Sequence, residues 1–159
     1  MARGRLITVE GLDGAGKTTL VAGLARELGA EVLREPGGVV LSERIRALVK
    51  DPELRVGARA EALLYAAARA QLVEERLEPL LAAGRLVLLD PEPAAGRRRL
   101  AGRGEAADRL EREAAPFFAA IAAAYDALAA ADPGRVRVVD AEQPPERVLA
   151  DALAALQAP

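Results

Sequence analysis

The stretch RLITVEGLDGAGKTTLVAGLARELG, Arg5 to Gly29, constrains the fold more than any other. Arg5 to Glu10 reads as a short, mostly apolar strand, the kind found in a parallel sheet covered on both faces. A glycine-rich turn follows, then a helical pattern from Lys17 to Leu28 that stops at Gly29. Parallel strands need a crossover, usually a helix, so a strand, tight turn and helix in succession point to an α/β chain.

The turn carries chemistry as well as topology. Gly11 to Thr19 fits G-x-x-x-x-G-K-[ST] and sits after a strand and at the opening of a helix, as the mechanism requires. Gly11, Gly14 and Gly16, with Leu12, Asp13 and Ala15 between them, allow backbone N–H groups to curl around phosphate oxygens. The helix N-terminus adds its positive dipole end. Lys17 is placed to reach the β- and γ-phosphates, and Thr18, followed by Thr19, to ligate Mg²⁺. The motif predicts a nucleoside-triphosphate site without saying what is done with the triphosphate.

The rest of the chain continues the alternation. Strands are expected at Glu31–Arg34, Arg85–Asp90 and Val136–Asp140. Helices are expected from about Ser42 to Val49, Ala58 to Ala83, Asp108 to Ala131 and Pro145 to Leu156. Leu63, Leu64, Ala67, Ala70, Val73, Leu77, Leu80 and Leu81 form the predicted apolar stripe of the long helix, which Pro79 should bend or restart. A second kink is expected at Pro116. The order predicts a three-layer α/β/α fold with a mainly parallel, four-stranded sheet and a single domain over residues 1–159.

Composition removes several function classes. The 159 residues contain no cysteine and no histidine, which excludes disulfides, thiolate metal sites and histidine acid–base chemistry. A net charge of −2 gives no electrostatic footprint for nucleic acid. No apolar run approaches a membrane span or a signal peptide, so a soluble, cytoplasmic protein without membrane partners is expected.

Several short stretches, in order, narrow the function. They are LREPGG (Leu33–Gly38), LSERIRALVKDP, RAEALLYAAARAQLV (Arg59–Val73), RGEAADRLERE and VVDAEQPPERV. Together they resemble bacterial thymidylate kinase, a family of P-loop kinases that phosphorylate dTMP. The resemblance implies a P-loop NTPase fold, ATP as donor, Mg²⁺ as cofactor, dTMP as acceptor and a homodimer paired through helices that include the long one from Ala58. It assigns Tyr65 to stack on thymine and Arg69, four residues on and on the same helix face, to the pyrimidine carbonyl edge. Arg46 matches the acceptor-phosphate arginine, a role suited to a bidentate guanidinium. Asp13 matches the carboxylate near the acceptor sugar. Glu35 and Pro36 match the motif that shapes the acceptor site and supports Mg²⁺ or an arginine. Residues 97–109 resemble the lid, with Arg103 and Arg109, then Arg99, as the arginines that neutralise the transferring phosphoryl group. Gly14 stands where one branch of the family has a P-loop arginine. Asp140–Glu146 matches the loop near adenine.

The resemblance breaks after Asp90. In the family the third strand ends in Asp-Arg, and a further strand-and-helix unit precedes the lid. Here Pro91 follows Asp90, and one strand stands where the family has two. The acceptor-phosphate arginine of that pair is absent, while Asp90 keeps the carboxylate expected near Mg²⁺ with Thr18. At this point a dTMP kinase, an ATP-binding remnant impaired in transfer, and a related kinase for another small acceptor all remain open.

Overall fold

The computed structural model describes residues 2–12, 15–91 and 115–157. Its elements are β1 (Leu6–Thr8), α1 (Lys17–Leu28), β2 (Glu31–Glu35), α2 (Val40–Lys50), α3 (Ala58–Leu72), a π-helical turn (Val73–Leu77), α4 (Glu78–Ala82), β3 (Val87–Pro91), α5 (Ala115–Ala131) and α6 (Pro145–Gln157). The strands form a parallel sheet in the order β1-β3-β2. Arg34 of β2 pairs with Asp90, and Thr8 of β1 with Leu89, so all three strands end at one edge.

The central strand shows why its sequence is apolar throughout. Val87 and Leu89 point into one cluster with Leu33, Val39, Leu72, Leu77 and Leu81. Leu88, between them, points into the opposite cluster with Val21, Leu24 and Ala152. Alternate residues face opposite sides of a strand, and helices cover both sides here, so alternation of polarity would leave a polar side chain in a core. The helix α1 packs against α6 beneath the second cluster; Gly23 leaves the space that Leu149 fills.

The long helical pattern holds, with two differences. A π-helical turn precedes Pro79, which sits in the first turn of α4. Proline has no N–H to donate and its ring crowds the carbonyl four residues back, so the hydrogen-bond ladder shifts there. The buried face also lies to one side of the expected stripe. Ala68, Leu72, Leu77 and Leu81 are buried and Leu64 and Tyr65 pack inward, but Leu63, Ala67 and Ala70 are exposed. The helix buries the face turned to α2 and the sheet, which the positions of those elements decide.

The sheet departs from expectation. Four strands were predicted, and the described residues contain three. Val136–Asp140 is not a strand: Val139 packs on the cluster around Leu24, while Val138 is 81% exposed. A strand needs a neighbour for its backbone bonds, and no described strand lies beside this segment. Closing up of the sheet over the missing strand therefore does not occur among the described residues. Leu6, in register with Val87, is 42% exposed, because the helices that bury Val87 lie over β2 and β3. The onset of the helix expected at Asp108 lies outside the described residues, and Pro116 falls in the first turn of the described part of α5.

Candidate active site

The parallel sheet delivers the C-terminal ends of β1, β3 and β2 to one edge, where ligands of open α/β sheets bind. From β1 the chain enters the predicted phosphate cradle. Gly16 caps α1 with φ +87°, a left-handed conformation that glycine adopts without a Cβ clash. Lys17 is 6% exposed, and its Nζ donates to the carbonyls of Gly11 at 2.7 Å and Leu12 at 2.8 Å. The ammonium thus lies inside its own loop, near where phosphate oxygens would replace those carbonyls as acceptors. Ala15 N–H donates back to Leu12 O at 3.3 Å, and the exposed Thr18 and Thr19 open the helix. Asp13 and Gly14 lie outside the described residues, as do Arg99, Arg103, Arg109 and the whole lid segment 97–109.

Asp90 arrives from the end of β3. Thr18 and Lys17 lie close enough to its carboxyl for both to favour the charged form, so the strand end meets the glycine-rich loop. Burial nevertheless raises its pKa above the usual 3.8, outweighing the lowering by Lys17, Thr18 and Arg34. Its Oδ1 is buried with no hydrogen-bond partner. An orphaned carboxylate oxygen beside a threonine hydroxyl suits a hard cation such as Mg²⁺, which commonly takes one or two protein oxygens and fills its sphere from water and phosphate. Among the described residues no cluster of three carboxylates forms an all-protein cage.

From β2 come Glu35 and Pro36, joined by a cis peptide bond, and the turn of Gly37 and Gly38. The predicted acceptor residues gather around this turn. Arg69 Nε donates to Glu35 Oε1, an ion pair joining α3 to the end of β2. That bond, more than any other influence, raises the pKa of Arg69 and keeps it charged. Arg46 NH1 donates to Pro36 O at 3.3 Å. Tyr65 is half-buried and rests against Ile45, Val49 and Ala68, so its ring has a packing role as well as an accessible part.

Sequence reasoning missed two residues that hold this geometry. Glu43 accepts from Arg34 NH2 and, at 2.9 Å, from Gly38 N–H, which fixes the glycine turn. Arg34 and Gly38 hold its pKa below the usual carboxylate value. Ser42, fully buried, donates its hydroxyl to Ala68 O at 2.7 Å and locks α2 onto α3 one helical residue from Arg69. An acid in the first turn of a helix that follows two glycines is a readable signal for the first. Nothing local marks the second, whose acceptor is 26 residues away.

A sequence model of thymidylate kinase matches residues 9–91. The thymidylate kinase of Halorhodospira halophila is 39% identical over 193 residues, covering 89% of this chain and 88% of that protein. The chain belongs to the thymidylate kinase family. The thymidylate kinase of Alkalilimnicola ehrlichii is 37% identical, over 94% of this chain and 90% of its own, and that of Deinococcus radiodurans 35% identical, over 98% of each. The crystal structure of thymidylate kinase from Ehrlichia chaffeensis shares the fold, with a TM-score of 0.75 at 21% identity over 98% of this chain and 100% of that one. Two details bear on the break after Asp90. The family match ends at residue 91, where the sequence departs from the pattern. The alignment with the Halorhodospira halophila thymidylate kinase spans 193 positions but takes in only 89% of the 159 residues here, about 142, so about 50 of its positions have no counterpart in this chain.

Proposed function

We propose that this chain is an ATP-dependent dTMP kinase, forming dTDP and ADP. The observation that carries the reading is the convergence, at one sheet edge, of Lys17, Thr18 and Asp90 with the Glu35–Arg69 pair and Arg46. An oxygen of the acceptor phosphate attacks the γ-phosphorus of ATP, the bond to the β,γ-bridging oxygen breaks, and ADP leaves with that electron pair. Lys17 and the cradle amides bind the donor phosphates, and Lys17 offsets charge as it builds on the leaving oxygen. Arg46 orients the acceptor phosphate, Tyr65 and Arg69 the base, and Asp13 the acceptor sugar. Thr18 and Asp90 would hold Mg²⁺, which would neutralise phosphate charge. Phosphoryl transfer depends on position and charge more than on a strong base, so the lack of histidine is no obstacle. Arg103 and Arg109 are the proposed lid arginines.

The exposed apolar residues Leu63, Ala67 and Ala70 on α3 support a homodimer through that helix. Among the described residues no helix is long and apolar enough to cross a membrane, and we place the enzyme in the cytoplasm, acting on small molecules.

A coupled ADP-release assay with dTMP, dUMP, dCMP and dGMP tests the proposal. Turnover is expected with dTMP; none from a folded sample refutes it. One observation favours a second reading, an ATP-binding protein impaired in transfer: Pro91 follows Asp90, so the arginine of the family's Asp-Arg pair is missing. ATP binding without any phosphorylated acceptor would select that reading.

A further inference from the structure

We infer that Glu43 is a positioning residue that holds Arg34 away from Asp90 and so keeps the buried oxygen of Asp90 open to a divalent cation, given the reading of Asp90 as a Mg²⁺ ligand in a kinase site. Asp90 Oδ1 is buried with no hydrogen-bond partner. Yet its register partner is an arginine, since Arg34 of β2 pairs with Asp90 of β3. Neighbouring strands lie about 4.8 Å apart. Leu33 and Leu89, the pair just before, point into one core cluster. Successive residues face opposite sides of a strand, so Arg34 and Asp90 both leave the sheet from its other side. A guanidinium that close would ordinarily donate to an unpartnered carboxylate oxygen.

Arg34 turns elsewhere because Glu43 competes for it. Its NH2 donates to Glu43 Oε1, which also accepts from Gly38 N–H at 2.9 Å. The backbone makes room for this pair. A Cβ on Gly37 would lie 2.7 Å from Glu43 Oε1 and 3.0 Å from Arg34 Nε, so a side chain there would push the pair aside. Arg34 stands off Asp90 accordingly: of the influences on that carboxyl, its charge is the smallest, after burial, Lys17 and Thr18. The two arrangements differ for a cation. Arg34 on Asp90 would supply the missing donor and set a positive charge where Mg²⁺ would sit. Arg34 on Glu43 has its charge offset and leaves a bare oxygen of the kind Mg²⁺ takes. A buried oxygen without a partner is costly, so the bare arrangement lasts only if something holds the arginine off. Glu43 is the carboxylate in contact with it.

Two measurements test this on wild type, Glu43→Gln, Arg34→Met, the double variant and Asp90→Asn. The first is a metal-free crystal structure of Glu43→Gln, which keeps an acceptor for Gly38 N–H but loses the charge that retains Arg34. Arg34 is expected on Asp90 Oδ1. The second is the affinity of the ADP-loaded protein for Mn²⁺, an oxygen-seeking stand-in for Mg²⁺, read from the free-ion signal in electron paramagnetic resonance. Glu43→Gln should weaken it about tenfold, the scale of one charge-assisted hydrogen bond. Arg34→Met should not weaken it, and adding Glu43→Gln to Arg34→Met should change it less than about twofold, because the two residues are coupled. An Arg34 that stays off Asp90 in Glu43→Gln would overturn the inference. So would an unchanged Mn²⁺ affinity once Arg34 has moved. An equal loss in the Arg34→Met background would also overturn it, since Glu43 would then act through the glycine turn alone. Equal Mn²⁺ affinities of wild type and Asp90→Asn would refute Asp90 as a ligand, and the inference with it. Turnover of dTMP by the same wild-type sample scores the kinase reading separately.

Discussion

Asp90→Asn should make the protein more stable and less able to work. The carboxylate sits at the end of β3 with one oxygen buried and unpartnered, and burial raises its pKa despite Lys17, Thr18 and Arg34. An acid whose pKa is raised on folding binds its proton more tightly in the folded chain. Its charge therefore costs stability at neutral pH. The cost disappears as pH falls through the raised value and is absent below the unfolded value, near 3.8. A buried group without a partner costs about 1–3 kcal/mol. Asparagine removes the charge but also replaces one oxygen by an NH2 group whose donors need partners, and the attraction of Lys17 is lost with the charge, so a net gain of at most about 1 kcal/mol is expected. For a chain of this size that raises Tm by at most about 2–4 °C, measured by far-ultraviolet circular dichroism without nucleotide or Mg²⁺. Melting across a pH series should show wild type approaching the variant as Asp90 protonates. The rate of dTMP phosphorylation should fall about a hundredfold or more, and added Mg²⁺ and ATP should raise Tm less in the variant than in wild type. A variant that melts below wild type at neutral pH would refute the reasoning, because the carboxylate would then be a net structural asset.

Leu88→Ala should cost about 2–5 kcal/mol, since Leu88 is fully buried in the central strand and its removal leaves a cavity; chemical denaturation measures the loss. Ser42→Ala should cost about 1 kcal/mol by deleting the hydroxyl bond to Ala68 O, and denaturation of that variant checks it. Glu43 has a lowered pKa in the folded chain, so its contribution is present above the usual 4.5 and lost as pH falls through the lower folded value. Glu43→Gln should flatten that part of the acid unfolding curve. The effect should be small and weakened by salt, because both partners of the Arg34 pair are partly exposed.

Much of this was legible in the residues. The glycine-rich turn that opens α1 could be read from Gly11–Thr19 because a phosphate cradle would require fixed spacings within a few positions of the chain. The central strand could be read because two covered faces demand an unbroken apolar run, as Val87, Leu88 and Leu89 supply. The predicted acceptor residues Glu35, Pro36, Arg46 and Arg69 do come together. The stripe on the long helix was misplaced because alanines and leucines occur on several of its faces, and periodicity cannot say which face meets the sheet. Val136–Asp140 was read as a strand from its own β-branched residues, but a strand exists only with a neighbour to pair with.

The sequence by itself determined the glycine-rich loop between β1 and α1, the α/β alternation and the family, because each depends on residues close together or on their order. It also marked the join at Asp90 and Pro91. Only the tertiary structure decided that the sheet has three paired strands among the described residues, that Arg69 leans on Glu35, and that Asp90 reaches the cradle with a partnerless oxygen. Those facts join residues from separate strands and helices. They follow from where packing brings the elements, which no spacing within one element encodes.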